Sequence, residues 1–202
     1  MLELGQWAFK NRGWLPIPLL ALAVFFPEYS TIKINFMLGA ILILAGEAGR
    51  LWAVGYAGGI TRTRKGDLDD LVVTGPLAYV RNPIYLSNIV IYSGATLILG
   101  VPGLLPLTLL YFFIQYSLII VYEESILDKA FSKRYTDYKK KVNRWIPDFK
   151  LKKDAEATVT KGSSQNEFSL NEYITAEKST FRSIAGIVII AIAKYYIIGL
   201  FS

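Results

Sequence analysis

Residues 81–124 read RNPIYLSNIVIYSGATLILGVPGLLPLTLLYFFIQYSLIIVYEE, and no charged side chain lies between Arg81 and Glu123. Two apolar runs, from Ile84 to Gly100 and from Leu104 to Tyr122, flank Gly100-Val101-Pro102-Gly103, where Gly and Pro break regular structure and no charge needs solvent. Each run approaches the ~20 residues that a helix needs to cross a bilayer. The stretch therefore predicts an antiparallel membrane hairpin that returns both its ends to one side. Arg81-Asn82-Pro83 and Glu123-Glu124 become neighbours in depth.

Three further spans extend the pattern, from Trp14 to Phe26, Asn35 to Ala57 and Ile184 to Phe201. The 202-residue chain is 53% hydrophobic with a positive mean hydropathy of +0.37, which places it among integral membrane proteins. The expected fold is all-α and polytopic, with about five transmembrane helices and a cytoplasmic amphipathic helix after the fourth. The first span is short, so the Phe9 to Trp14 flank is expected to lengthen it. Lys10 and Arg12 ahead of an apolar run also fit a signal peptide, but no small-residue cleavage pattern follows Phe25-Phe26-Pro27.

If the spans alternate, one side receives Lys10, Arg12, Arg62, Arg64, Lys65, Arg81 and every basic residue from Lys129 to Arg182, and the other receives Lys33. That asymmetry predicts a cytoplasmic amino terminus and cytoplasmic long loops. The formal charge of +6 lies beside hydrophobic spans, so anionic headgroups rather than nucleic acid are the expected partner. With no Cys and no His, the chain has no Cys/His zinc site, no thiol or Ser-His nucleophile and no disulfide. Its chemistry must run on carboxylates, Arg, Lys, Tyr, Asn and hydroxyls, with an organic cofactor and no metal.

After Glu124, apolar or aromatic residues recur at Leu127, Phe131, Tyr135, Tyr138, Val142 and Trp145 with charges between them, the spacing of one helical face. This predicts an amphipathic helix over 123–146, its aromatic face toward lipid or toward protein. From Asp148 the composition turns polar, Gly162-Ser163-Ser164-Gln165-Asn166 reads as a flexible connection, and Ser169 to Lys178 reads as a short polar helix. The organisation is a core over 1–147, a polar cytoplasmic linker over 148–182 and a last membrane helix over 183–202.

Thr74-Gly75-Pro76 reads as a turn, and Asn82-Pro83 before an apolar run reads as a helix start, with Asn as N-cap and Pro in the first turn. A helix amino terminus beside Arg81 also presents unpaired N–H groups and a full charge, which suits a carboxylate or phosphate. Glu123-Glu124 and the nearby tyrosines suit an ammonium or a sulfonium. Glu47 and Arg50, three residues apart at membrane depth, either pair with each other or bind ligand. Ala45, Gly49, Ala53 and Ala57 form a small-residue stripe suited to close helix packing.

Gly75-Pro76 … Arg81-Asn82-Pro83-x-Tyr85, one hairpin, Glu123-Glu124-x-x-Leu127-x-x-x-Phe131-x-x-x-Tyr135-x-x-Tyr138 and the closing Val142-x-Arg144-Trp145-Ile146-Pro147 together resemble the isoprenylcysteine carboxyl methyltransferase family and its phospholipid methyltransferase relatives. The resemblance covers roughly residues 40 to 147 and implies a membrane-embedded methyltransferase that uses S-adenosylmethionine without a Rossmann fold. It implies cofactor contacts at Gly75, Arg81, Asn82, Pro83 and Tyr85 and at one or both of Glu123 and Glu124. Asn82 stands where better-studied members carry His, and it cannot titrate. An ionised carboxylate acceptor needs alignment more than a base, so Arg50 is the candidate to orient it, with Asn82 beside the reacting groups and Glu47 as a second acceptor contact. A phospholipid amine would need a base. An NADPH-dependent membrane reductase and a non-catalytic lipid-binding protein are the other readings.

Overall fold

The computed structural model describes residues 1–26, 32–57, 71–149, 168 and 170–201. Arg62, Arg64 and Lys65, the Gly162 to Asn166 connection and the side chain of Lys33 lie outside the described residues. The described chain forms six α-helices: α1 (Leu2–Lys10), α2 (Pro16–Phe25), α3 (Ile32–Ala57), α4 (Pro83–Ile98), α5 (Leu105–Lys141) and α6 (Leu170–Phe201). Three segments are long and apolar enough to cross a membrane, Ile34–Ala57, Pro102–Lys141 and Thr180–Ile197, and α2 and α4 are shorter apolar helices.

The expected hairpin is present as α4 and α5. Gly100 adopts φ +75, a left-handed conformation that a side chain would strain, and a 3-10 turn over Pro102–Leu104 reverses the chain. The arms are joined by Thr96 and Thr108, whose hydroxyls lie 3.0 Å apart, and by Tyr92 stacked on Phe112 with centroids 3.9 Å apart. One hydroxyl donates to the other, and the accepting one donates to the carbonyl one turn back, Tyr92 for Thr96 or Leu104 for Thr108, so neither is left unsatisfied.

Helices α3 and α4 share the most extensive contact in the molecule. A Cβ on Gly39 would stand 2.6 Å from the Gly94 carbonyl oxygen, one on Gly94 would stand 2.6 Å from the Gly39 oxygen, and one on Gly46 would meet Ile91 Cγ1 at 2.6 Å. Backbones this close trade side-chain bulk for dispersion contact, which is what holds helices together where lipid removes the hydrophobic drive. The contact line differs from the stripe expected at every fourth residue: Ala45 is exposed, whereas Gly39, Gly46, Gly49 and Ala53 face α4 or the interior. A straight helix of 3.6 residues per turn drifts off a four-residue repeat.

The first expected span resolves differently. The Phe9 to Trp14 flank does not lengthen it: α1 ends at Lys10, residues 11–15 turn, and α2 has 10 residues. Pro16 starts α2 because it lacks an N–H to extend a helix backward. Helix α1 instead lies against α5, burying Gly5 and Ala8. The expected amphipathic helix is the continuation of α5, interrupted at Ser132 (φ 45) and ending at Lys141 rather than 146, so Trp145 lies beyond it and packs on Phe113 at 5.1 Å. Its aromatic face turns toward protein, where Tyr135, Tyr138 and Val142 form a buried cluster with Leu71 and Val73. The short helix expected over 169–178 is the first part of the single 32-residue α6. At the far end of the bundle, Lys194 Nζ of α6 donates to the carbonyls of Ala23 (2.9 Å) and Leu99 (3.0 Å), capping α2 and α4.

Gly94→Val, which sets a branched side chain against the Gly39 backbone, is expected to lower the thermal midpoint in detergent by several degrees, an overpacking cost of about 1–3 kcal/mol. Gly186→Ala, where a Cβ meets nothing within 4 Å, is expected to leave it unchanged. Equal midpoints for the two variants would show that the α3–α4 contact is not tight.

Candidate functional site

The hairpin sets its two ends together. Arg81 Nη2 lies 3.1 Å from Glu124 Oε1, and both side chains are about nine-tenths buried, with 11% and 10% exposure. Arg144 approaches the same carboxylate from the chain beyond α5, its Nη2 2.5 Å from Oε2. Arg81 Nη1 also donates to the carbonyls of Lys139 and Val142, each at 2.9 Å, capping the end of α5, whose last carbonyls have no helical partner. One carboxylate and two guanidinium groups thus form a clasp. Asn82 joins it by donating Nδ2 to the Arg144 carbonyl at 3.2 Å. It starts α4, as expected, but its side chain makes no cap hydrogen bond, because that amide is committed to the clasp.

Glu123, one residue earlier on α5, is rotated by about 100° and points elsewhere. Its Oε1 accepts the Tyr85 hydroxyl at 2.8 Å, and the Tyr85 ring stacks on Tyr116 at 4.7 Å. These groups line a half-open cavity of about 840 Å³ bordered by α1, α3, α4, α5 and α6, a size suited to a small organic ligand. Arg81, Asn82, Pro83, Tyr85, Glu123 and Glu124 all reach its wall. Pro83 and Ile84, in the first turn of α4, put the positive end of that helix at the cavity. Gly75 does not reach it. With φ +60 it sits against the Tyr56 ring, where a Cβ would stand 2.5 Å from Cγ, so its need for glycine is met by packing.

Arg50 lines the cavity from α3. It is 9% exposed, donates to Asn88 Oδ1 and reaches Thr180 Oγ1 of α6 at 3.4 Å. Glu47 lies off the cavity wall. Asn88 and Tyr116 line the same wall, and the stack of Tyr116 on Tyr85 carries that wall on to Glu123. Sequence reading missed Asn88, Tyr116, Thr180, Arg144 and Arg12. Tyr85, Asn88 and Tyr92 share one face of α4, and an Asn at membrane depth is itself a polar signal. Arg144 stands in the closing Val142 to Pro147 motif with no role assigned, and Thr180 carries no signal, since only the fold brings each to its partner.

These residues fit S-adenosylmethionine, the cofactor that the resemblance implies. The cavity offers aromatic faces for a sulfonium, the Glu123 carboxylate for an ammonium, and guanidinium groups for a carboxylate.

Removing Arg81 from the clasp leaves Glu124 and two carbonyls short of a donor. Arg81→Ala is expected to cost about 3 kcal/mol, read as a lowered thermal midpoint, and to speed tryptic cleavage between Lys139 and Arg144. An unchanged cleavage rate would mean that the clasp does not hold that segment.

The phospholipid methyltransferase family model matches residues 34–134, half of the chain. No curated protein and no solved structure matches it. The matched region contains nearly all of α3 with Arg50, all of α4, the apolar part of α5 and both glutamates. The chain belongs to the phospholipid methyltransferase family and is an integral membrane methyltransferase that uses S-adenosylmethionine to methylate a lipid.

Proposed function

We propose that the group methylated is a carboxylate on a lipid-like acceptor, as in the isoprenylcysteine carboxyl methyltransferases, with its head in the cavity and its chain in the bilayer. The observation that carries this reading is Arg50. A guanidinium buried at membrane depth is costly unless it is used, and here it is fixed in the cavity wall by Asn88 and Thr180. So held, it orients a carboxylate by paired N–H donors. The cofactor supplies a methyl on a sulfonium: a carboxylate oxygen takes that methyl, and the broken C–S bond leaves its electron pair on sulfur.

In this reading Glu123 and Tyr85 contact the cofactor, the Tyr116 ring extends the aromatic wall, and Pro83 and Asn82 border it. Arg81 and Glu124 shape that wall through the clasp, and Asn82 lies beside the reacting groups without exchanging a proton. Gly75 acts through the turn it permits. Glu47 supports Arg50 from one turn away rather than touching the acceptor. The distribution of Lys and Arg puts the amino terminus and the clasp on the cytoplasmic side, with five helices crossing. Family membership sets aside the nicotinamide-reductase and non-catalytic readings.

A phospholipid amine is the second reading, favoured by Glu123, a cavity carboxylate within reach of a proton that an attacking amine must lose. Transfer of a labelled methyl group from S-adenosylmethionine into a total membrane lipid extract separates the two. Label released as methanol by mild base marks an ester and supports the carboxylate; label that survives base marks an N-methyl product and overturns it. Arg50→Gln is expected to lower kcat/KM about a hundredfold while S-adenosylhomocysteine affinity, measured by calorimetry, changes less than threefold. A matching loss of that affinity would place Arg50 at the cofactor instead.

A further inference from the structure

Arg12 lies outside the family-matched residues, and by sequence it is only an orienting charge. In the folded chain its position is set by a series of contacts. Helix α1 approaches α5 at Gly5, where a Cβ would collide with the Leu118 carbonyl oxygen and stand 2.9 Å from Tyr122 Cβ. One turn on, Phe9 packs against the Tyr122 ring at 5.6 Å. The Arg12 guanidinium lies 4.2 Å from the centroid of the Phe9 ring. A guanidinium over a ring face keeps its N–H donors in its own plane and available to a ligand.

Arg12 and Glu123 line the same cavity. Arg12 is within electrostatic reach of both Glu123 and Tyr85, yet among the described residues it makes no ion pair, and none joins it to Glu123. The contrast with Arg81 and Arg144 is chemical: those two are closed on Glu124. Arg12 and Glu123 are two opposite charges in one chamber that do not close on each other. Each stays open to a third group.

We propose that Arg12 and Glu123 form a two-point site for a zwitterionic head group, Arg12 taking its carboxylate or phosphate and Glu123 its ammonium. The inference rests on the cavity being the methyl-transfer chamber. Two molecules of that reaction class carry such a head: the amino-acid end of the cofactor and a zwitterionic phospholipid. A ligand lacking one end leaves the opposite protein charge without its partner, so the pair selects for both charges together.

The test uses full-length protein in detergent, as wild type, Arg12→Gln and Arg12→Lys. Calorimetry is run with S-adenosylhomocysteine, with 5′-methylthioadenosine, which keeps the nucleoside and sulfur but lacks the amino-acid head, and with short-chain phosphatidylethanolamine. If the head is the cofactor's, Arg12→Gln raises the Kd for S-adenosylhomocysteine about tenfold or more, leaves 5′-methylthioadenosine unchanged, and Arg12→Lys falls between. If the head is the lipid's, both nucleosides are unchanged and phosphatidylethanolamine weakens by the same factor. Three unchanged affinities overturn the pair, and so does an equal loss for S-adenosylhomocysteine and 5′-methylthioadenosine. Wild-type protein that binds none of the three overturns the reading of the chamber itself, and the pair with it.

Discussion

A single carboxylate, that of Glu124, closes the structure at its polar end. Buried charges persist only when partnered, and Glu124 is partnered by Arg81 from the start of the hairpin and by Arg144 from the chain beyond it. Those partners fix which face of α5 turns toward α4. Once that face is set, Glu123 has one direction left, into the cavity and onto Tyr85. The division of work between adjacent glutamates follows from helix geometry. One residue of rotation separates a group consumed by the fold from a group presented to a ligand.

The family-matched region carries Arg81 and Glu124 of the clasp, the hairpin turn and Arg50, while the flanking segments supply Arg144 and complete the walls. Phe9 and Arg12 come from the amino-terminal side, and Thr180, Ser183, Ile184 and Ile187 come from α6. Neither flank belongs to the match, and each meets the core through an ordinary device. Gly5 lets α1 approach a backbone, and Lys194 supplies donors to carbonyls that end two other helices. The matched core thus supplies most of the chamber's polar groups, and Arg12, Thr180 and Ser183 join them from the flanks.

Much of this was legible in the sequence, and what was not has a common cause. The hairpin was visible because an uncharged stretch with one Gly/Pro turn has few other ways to satisfy its backbone in lipid. The proximity of Arg81 to Glu124 followed from that topology. Which charges would pair did not: Arg81 read as an anion site is engaged by Glu124 and two carbonyls, Arg144 stood in the closing motif with no partner assigned, and Arg12 counted only toward orientation. Side-chain partnership between residues 20 or 43 positions apart leaves no periodic trace. The direction of the aromatic face after Glu124 was open for the same reason, since the same spacing serves a lipid surface or Leu71 and Val73. Asn82 shows the reverse case, a strong local signal for a cap whose side chain was drawn away by a distant carbonyl.

Helix α5 runs from Leu105 to Lys141 with a break at Ser132, but its apolar part ends at Tyr122, after about 27 Å at 1.5 Å per residue. That length is close to the ~30 Å of a typical hydrocarbon core and leaves almost no slack. Glu123 is covalently fixed at its end, so hydrophobic mismatch acts directly on the chamber. A thicker bilayer draws the carboxylate toward acyl chains, and a thinner one lifts it into water and phosphates. The thickness of the host membrane is therefore a variable of this site in the same sense as its side chains, and a protein of this build is matched to its membrane by the length of one helix.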